Sequence, residues 1–321
     1  MSNKAISGDA SGRGAVAGYR VSIPARQRPY TEEEIAEVVR VMRDVPGQTQ
    51  GAMQEQFQAD FKAFTGANHA FAVGNATQAL SLAATLCGVK PGDEVIIPAY
   101  TFCASAIPFG KEGAAIVWAD IDPDTWVVSV SDIERKITKK TKAIVCVHLL
   151  GMPCDMPAIV ALAEKHGIRV VEDCAQALDS RINGQHVGTF GDFGCFSFHG
   201  AKTMTTLGEG GMLTVKSDAD AKLVPGIRHN GVCGFPGVRE RYWVPAMSNV
   251  DLDIEGFWPN NFCIGEAQCA LGSVELKNLT KFSDLIIAQN DRLRELLKDV
   301  PEISFNKIPK GYRHVRHQYI Q

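Results

Sequence analysis

Short apolar segments alternate with helical segments between residues 69 and 172, and this alternation restricts the fold more than any other feature. The predicted strands are His69–Val73, Glu94–Pro98, Ala115–Ala119, Ala143–Leu149 and Arg169–Glu172. They are largely continuous apolar runs, which is typical of strands buried on both faces of a sheet. The helices predicted between them are Ala76–Cys87, Phe102–Phe109, Ser131–Ile137 and Asp155–His166. Such alternation predicts an α/β fold with a largely parallel sheet.

Two helices are predicted before the first strand. The segment Thr31–Arg43 has acidic residues in its first turn and Thr31 in a favourable N-cap position. The segment Gln50–Phe64 carries an aromatic stripe at helical spacing, formed by Phe57, Phe61 and Phe64. We interpret this stripe as part of the hydrophobic core rather than as a cofactor contact.

Composition excludes several classes of protein. The chain has 321 residues, 45% of them apolar and 21% charged, with a net charge of −3. These values fit a globular protein with one large and one smaller domain, and they argue against a nucleic-acid or membrane partner. No apolar run approaches the roughly 20 residues that span a bilayer. The nine cysteines are scattered without CxxC pairs, which predicts a reducing, cytoplasmic compartment, and the histidines lack metal-ligand spacing.

Ligands of parallel sheets bind beyond the carboxyl ends of the strands, so the residues that follow each strand are candidates. Gly74–Leu80 opens a helix and is either a phosphate cradle or an ordinary capped helix. Ala99–Phe102 brings aromatic rings to the same edge. Asp173 and Gln176 follow a later strand, where Asp173 is either a site carboxylate or a helix cap. In contrast, Asp120–Asp124 is interpreted as an Asp-Pro turn rather than a DxD metal motif.

Lys202 lies between two apolar segments that predict buried strands, Phe193–Phe198 and Met212–Val215. Small and hydroxyl-bearing residues surround it. Burial lowers the pKa of an amine, and a neutral amine can form a Schiff base with an aldehyde. An ordinary charge at a strand end is the alternative.

The C-terminal part is predicted to contain a long helix followed by short strands. The helix begins at Asn260–Leu276 and continues as the amphipathic segment Asp284–Val300, which bridges to a second domain. The segment Ile303–Phe305 is predicted as a strand, and Arg313–Ile320 as the start of another.

Five motifs, in order along the chain, resemble those of the DegT/DnrJ/EryC1/StrS aminotransferases. They are Gly74-Asn-Ala-Thr77, Pro98-Ala-Tyr-Thr-Phe102, Glu172-Asp-Cys-Ala-Gln176, Ser197-Phe-His-Gly-Ala-Lys202 and Gly208-Glu-Gly-Gly211. The resemblance extends from about Pro29 to the C-terminus. It implies an α/β fold of the fold-type-I pyridoxal-phosphate transferases, with a mainly parallel central sheet flanked by helices. A large cofactor-binding domain over 29–275 and an incomplete small α+β domain over 276–321 are also implied, while the Gly/Ala/Ser-rich composition of Met1–Gly18 predicts a flexible tail over 1–28.

The resemblance also implies a role for each site residue. Lys202 would bind pyridoxal 5′-phosphate covalently and transfer protons, and Asp173 would pair with the pyridine nitrogen. The remaining cofactor contacts would be Phe102 on the ring, Gln176 at the ring hydroxyl, and Thr77, the Gln78 backbone and Ser197 at the phosphate. Asn261 would complete the phosphate site from a second subunit, so the implied assembly is a homodimer. Relatives often carry a basic residue where this chain has Cys263.

The implied reaction moves an amino group, from L-glutamate, to a keto group of a sugar or nucleotide sugar. Other acceptors remain open, among them a keto-inositol, a keto-octulosonate and an aminobenzoate precursor. A sugar dehydratase of the same fold is an alternative, although relatives with that activity replace the lysine at position 202 by histidine. A catalytically silent paralogue that acts as a partner or regulator is a further alternative. An apparent insertion over Phe235–Gly256 is expected to reshape the acceptor pocket.

Overall fold

A seven-stranded sheet organises the computed structural model, which describes residues 28–231 and 256–317. The strands in chain order are β1 His69–Val73, β2 Glu94–Pro98, β3 Ala115–Ala119, β4 Thr141–Val147, β5 Arg169–Asp173, β6 Arg181–Ile182, β7 Gln185–His186, β8 Phe193–Ser197, β9 Gly211–Val215 and β10 Tyr312–Arg313. The large sheet has the order β1-β9-β8-β5-β4-β2-β3, and of its seven strands β9 alone runs against the others. The predicted, largely parallel sheet is confirmed.

Helices flank this sheet. They are α1 Glu32–Asp44, α2 Ala52–Thr65, α3 Ala76–Leu86, α4 Ile107–Lys111, α5 Val130–Lys136, α6 Met156–His166, α7 Asp218–Arg228 and α8 Glu266–Leu297. The predicted helix over Phe102–Phe109 differs from the structure, which has a 3₁₀ turn at Cys103–Ser105 followed by α4. Pro108 explains the break, because proline is favoured in the first turn of a helix and is disfavoured in its interior.

The N-terminus of α1 is fixed by the predicted cap. The hydroxyl of Thr31 accepts a hydrogen bond from the Glu34 N–H at 3.3 Å, and the Glu34 carboxylate accepts one from the Thr31 N–H at 2.8 Å. This reciprocal pair satisfies two backbone N–H groups at the start of the helix. The prediction of Thr31 as N-cap is confirmed.

Four phenylalanines pack α2 against the end of β8. Phe57 and Phe61 of α2 are fully buried, with ring centroids 5.4 Å from Phe198 and 4.9 Å from Phe196, respectively. The aromatic stripe therefore belongs to the core, as predicted. This packing fixes the end of β8, where the loop that carries the predicted catalytic lysine begins.

The long helix begins later than predicted. Residues 260–262 are extended, since Asn260 N–H donates to Ile227 O at 2.7 Å and Phe262 N–H donates to Arg228 O at 2.8 Å. At the start of α8, the buried Glu266 carboxylate accepts backbone N–H groups from the beginning of α2. These long-range bonds place the helix start at Glu266 rather than Asn260. From there α8 continues without a break through the predicted boundary at residue 275.

The predicted strands after α8 are largely wrong. The segment Ile303–Phe305 forms no strand, and its neighbour Lys307 instead donates its N–H to Asp124 O at 2.7 Å. An apolar run forms a strand only where a sheet edge is open to pair with it. Within 313–317, the described part of the segment Arg313–Ile320, Arg313 alone is in a strand, because β10 pairs with β6 in a small sheet of order β10-β6-β7.

Some predictions fall on other parts of the chain. The tail predicted over 1–28 and the insertion predicted over Phe235–Gly256 lie almost entirely outside the described residues. Over 28–231 and 256–317, none of the helices combines the length and apolar character that a membrane crossing requires. The eight cysteines in these ranges are free thiols.

Gly211, the first residue of β9, lies against the start of α3. A Cβ atom added to it would lie 2.5 Å from the Asn75 carbonyl carbon and 2.9 Å from the Ala76 nitrogen. Both are backbone atoms, which cannot move without displacing α3. Glycine at this position therefore allows the sheet and the helix N-terminus to come together.

We predict that Gly211→Ala destabilises the protein by about 3 kcal/mol, because backbone must shift to relieve the contact. Urea unfolding measures this loss as a lower midpoint. Gly47→Ala is the matched control, since an added Cβ there meets nothing within 4 Å. Equal midpoints for the two variants would contradict the close packing of β9 on α3.

Candidate active site

A cavity of about 530 Å³ opens at the carboxyl edge of the large sheet. Six of the eight predicted site residues line it, namely Thr77, Phe102, Asp173, Gln176, Ser197 and Lys202. The other two predicted residues, Gln78 and Asn261, are not among the lining residues. The sheet thus brings together side chains that are more than 100 positions apart in the sequence.

Lys202 lies in the loop between β8 and β9. Backbone bonds extend the β8–β9 pairing into this loop, from Phe198 N–H to Gly210 O at 2.8 Å and from Gly200 N–H to Gly208 O at 2.9 Å. Beyond them, the Lys202 N–H donates to His199 O at 2.8 Å. The loop is also attached to α8, because Thr205 N–H donates to the buried Glu275 carboxylate at 3.1 Å.

The electrostatic environment of Lys202 favours a neutral amine. Burial lowers the pKa of Lys202 below the ordinary value for lysine, and the nearby Asp173 carboxylate partly opposes this shift. A half-buried lysine with a lowered pKa can act as a nucleophile and as a proton acceptor. The alternative of an ordinary solvated charge at a strand end does not fit this position.

Asp173 is the last residue of β5 and is only 6% exposed. Its Oδ1 accepts the Ala175 N–H at 3.1 Å, and its Oδ2 accepts the Ser105 hydroxyl at 2.7 Å. These bonds satisfy the charged form of a carboxylate that is nearly removed from water. Asp173 can therefore present a negative charge to a cationic group in the cavity.

The N-terminus of α3 also faces the cavity. Asn75 caps this helix, because its Oδ1 accepts the Gln78 N–H at 3.0 Å. The backbone N–H of Gln78, which was predicted to contact a phosphate, is thus occupied by the cap in this structure. The N–H groups of Ala76 and Thr77 have no hydrogen-bond partner in the described chain. Together with the helix dipole, these two groups form a site suited to an anion.

Phe102, Gln176 and Ser197 complete the predicted set within the cavity. Phe102 is 68% exposed and lines the cavity, so its ring is accessible to a ligand there. The Gln176 Oε1 accepts the Leu150 N–H at 2.7 Å, which fixes the orientation of its amide. Ser197 ends β8, and its Oγ accepts the His199 N–H at 3.3 Å, so its own proton is available to a ligand.

Asn261 lies apart from the cavity of its own chain. It is exposed and forms an isolated antiparallel bridge with His229. Cys263, two residues further on, lies near Gln50, whose Nε2 contacts the Cys263 sulfur at 3.2 Å.

Sequence reasoning missed two groups at the site, Ser105 and His148. His148 lines the cavity, and its ring lies between the Cys154 N–H, at 3.0 Å from Nδ1, and the Glu172 carboxylate, at 3.0 Å from Nε2. The predicted strand extended to Leu149, whereas β4 ends at Val147, so the strand-end rule would have indicated His148 with the correct boundary. No comparable signal identifies Ser105, because its contact with Asp173 is formed only by the fold.

His148, Glu172 and Cys174 lie within 4.8 Å of one another, a spacing that a metal ion could use. However, both ring nitrogens of His148 are engaged as described, and Glu172 also accepts the N–H groups of Gly188, Phe190 and Gly191 at 2.7–2.8 Å. We therefore describe the cluster as a hydrogen-bond network. In the segment Asp120–Asp124, which was compared with a DxD metal motif, Asp122 Oδ1 accepts the N–H groups of Asp124 and Thr125 at 2.9 Å, as expected for a turn.

Comparisons with known proteins agree with this geometry. The chain is 34% identical over 300 residues to UDP-N-acetyl-3-dehydro-alpha-D-glucosamine 3-aminotransferase of Acidithiobacillus ferrooxidans, covering 93% of this chain and 76% of that protein. It is 42% identical over 260 residues to GDP-perosamine synthase of Escherichia coli O157:H7, covering 81% and 67%, respectively.

A similar solved structure is Spr1654 of Streptococcus pneumoniae in its PLP form, with a TM-score of 0.79 and 27% identity. The match covers 93% of this chain and 77% of that one. The fold is that of the fold-type-I pyridoxal-phosphate aminotransferases, so the predicted fold class is confirmed. Residues 29–321 match the DegT/DnrJ/EryC1/StrS aminotransferase family. With this match and these relatives, the chain belongs to that family and is an aminotransferase.

Proposed function

We propose that this aminotransferase uses pyridoxal 5′-phosphate to move an amino group from L-glutamate to a keto group of a sugar or nucleotide sugar. The observation that carries the proposal is a half-buried lysine, Lys202, in the same cavity as the buried Asp173 carboxylate and the N-terminus of α3. The names of the relatives in A. ferrooxidans and E. coli, which refer to amino sugars, support this substrate class.

The residues in the cavity fit the parts of pyridoxal phosphate. The Ala76 and Thr77 N–H groups, with the Thr77 and Ser197 hydroxyls, match its phosphate, and Lys202 matches its aldehyde. Asp173 matches the pyridine nitrogen, Phe102 the ring face and Gln176 the ring hydroxyl. When bound, the cofactor supplies an electron sink that stabilises negative charge on the substrate carbon.

The protein supplies the proton chemistry through Lys202. Burial lowers the pKa of its amine, which favours the neutral form that can accept a proton from the substrate carbon. Once protonated, the same amine can return the proton to a neighbouring atom. The Asp173 carboxylate stabilises cationic groups in the cavity throughout, because the surrounding protein weakly screens its charge.

We infer that the active site is completed in a homodimer. The Phe102 ring is largely exposed, and Asn261 lies on the surface outside the cavity of its own chain. In a dimer, Asn261 of the partner subunit would add an amide to the phosphate site. We further propose that the protein is cytoplasmic. We also propose a domain boundary near residue 275, where α8 would connect the large domain to a smaller one.

The alternatives make different use of the same cavity. A dehydratase of this fold would not need a lysine at position 202, and a silent paralogue would need none of Lys202, Asp173 and Gln176. The absorbance spectrum of the purified protein with pyridoxal phosphate, before and after L-glutamate, distinguishes them. We expect a protein-bound cofactor band that changes on addition of glutamate, with release of 2-oxoglutarate. Failure to bind the cofactor would contradict the proposed function.

We predict that Lys202→Ala prevents covalent attachment of the cofactor and lowers transaminase activity by about 10³-fold, because the nucleophile and proton carrier is lost. Borohydride trapping followed by peptide mass spectrometry measures the attachment. Lys216→Ala is the control, since this exposed lysine lies outside the cavity and should leave the trapped peptide unchanged. Trapping at another lysine in the parent protein would refute the assignment.

We predict that the rate of cofactor attachment rises with pH to a plateau. The midpoint of this rise should lie below about 10.4, the usual pKa of lysine. Burial lowers the pKa of Lys202, whereas Asp173 raises it. Asp173→Asn removes the opposing charge, so its midpoint should be lower than that of the parent. Stopped-flow absorbance across pH measures both midpoints, with the surface variant Glu164→Gln as control. An upward shift in Asp173→Asn would contradict the predicted coupling.

A further inference from the structure

A chain of two side-chain hydroxyls ends on the Asp173 carboxylate. Ser105 is fully buried, and its Oγ donates to Asp173 Oδ2 at 2.7 Å. Behind it, Thr101 Oγ1 lies 2.7 Å from Ser105 Oγ. An ionised carboxylate only accepts hydrogen bonds, so the single hydroxyl proton of Ser105 is donated to Asp173. In the bond between Thr101 and Ser105, Thr101 is therefore the donor. The charge on Asp173 therefore sets the direction of both bonds.

The remaining contacts of Asp173 come from backbone. Ala175 N–H donates to Oδ1 at 3.1 Å, and the Asp173 carbonyl accepts the His148 N–H at 3.1 Å. Within residues 28–231 and 256–317, Ser105 is the side chain that donates to this carboxylate. The competing acceptor for the Thr101 proton, the Phe102 carbonyl oxygen, is further away at 3.4 Å.

We propose that Ser105, supported by Thr101, is a positioning residue of the transamination reaction, which keeps the Asp173 carboxylate ionised and in one orientation toward the cofactor. This inference rests on the proposed function. The argument for it is that a nearly buried carboxylate needs donors to remain charged, and that hydroxyls in a chain polarise one another and strengthen each bond.

Some of the titratable groups around Asp173 favour its negative charge and others disfavour it. They are Lys202, Glu172, His148, Cys174 and Cys195. A protonated Lys202 favours the carboxylate, while burial and the neighbouring Glu172 carboxylate disfavour a second negative charge. The Ser105 hydroxyl adds a donor that does not titrate in the physiological range. It therefore supports the charge on Asp173 whether Lys202 is protonated or neutral.

The same segment also carries Phe102. Thr101 directly precedes Phe102, and Ser105 ends the 3₁₀ turn Cys103–Ser105 that directly follows it. Phe102 lines the cavity at the start of this turn. A bond from this segment to β5 therefore links the ring of Phe102 to the carboxylate of Asp173. Both groups would be held against the same cofactor ring.

The first test uses the cofactor-free protein and the variant Ser105→Ala. Ser180→Ala is the matched control, because Ser180 is also fully buried and its Oγ donates at 2.7 Å, but to the Gly151 carbonyl. A bond to the ionised form stabilises the fold near neutral pH, and this stabilisation is lost as the pH falls and the carboxylate is protonated. We expect Ser105→Ala to lower the Tm by about 3 °C at neutral pH and by progressively less as the pH falls below about 5.

For Ser180→Ala, we expect a loss of Tm that does not change with pH. Introducing Ser105→Ala into Asp173→Asn should likewise give a loss that does not change with pH, since no carboxylate remains. A pH-independent loss for Ser105→Ala in the parent would overturn the proposal and reduce the residue to a packing role.

The second test measures the affinity for pyridoxal phosphate across pH by fluorescence quenching. Ser105→Ala should shift the pH at which affinity is lost on acidification upward by about one unit. Thr101→Val should shift it in the same direction by less, and Thr101→Ser should restore the parent value. Adding Thr101→Val to Ser105→Ala should change nothing further, because the chain is already broken. Independent, additive shifts would overturn the role of Thr101.

The two tests separate the two claims. If the parent protein does not bind pyridoxal phosphate, the proposed function fails, while the pH dependence of the Tm still decides whether Ser105 supports the charge on Asp173. If the cofactor binds, but the pH at which affinity is lost on acidification is the same in Ser105→Ala as in the parent, the positioning role fails and the proposed function stands.

Discussion

The buried Glu172 carboxylate is the interaction on which the arrangement of the site depends. It is fully buried and accepts backbone N–H groups from Gly188, Phe190 and Gly191, while its other neighbour is the ring of His148. These bonds attach the segment before β8 to the end of β5. Replacing such an acceptor would leave several buried N–H groups unsatisfied, each at a cost of about 1–3 kcal/mol. Together with the backbone pairing of β5 with β8, this side chain fixes the position of β8 relative to β5, and therefore of Lys202 relative to Asp173.

The positions of the site residues along the chain could be predicted because they obey a simple topological rule. In a parallel sheet, the carboxyl ends of all strands meet at one edge, so Thr77, Phe102 and Asp173 converge without any knowledge of side-chain contacts. Lys202 could be identified because it lies between two apolar segments and is flanked by small and hydroxyl-bearing residues; the structure adds that β9 is antiparallel to β8, which brings the loop to the same edge. Local patterns of apolar residues were sufficient to find these strands.

What could not be predicted depends on partners distant in sequence. Helix α8 begins at Glu266 because that carboxylate caps α2, more than 200 residues earlier. The N–H of Gln78 is occupied because Asn75 turns its side chain into a cap, and Ser105 matters because the fold brings it to Asp173. The segment Ile303–Phe305 has strand-like residues but no partner strand. In each case the residue type permits several structures, and tertiary contacts select one.

The site divides into a part that one chain completes and a part that it leaves open. Asp173, Ser105 and Glu172 are buried and bonded within the chain, so the charges at the base of the cavity are set before any ligand arrives. The ring of Phe102 and the amide of Asn261 are exposed, so the walls of the cavity depend on what covers them. Charges that are already in place need no rearrangement during the reaction. An open wall of the cavity can change its shape without moving these charges. Walls that can change while the buried charges stay in place suit a family in which relatives carry the names of different sugars, as those of A. ferrooxidans and E. coli do.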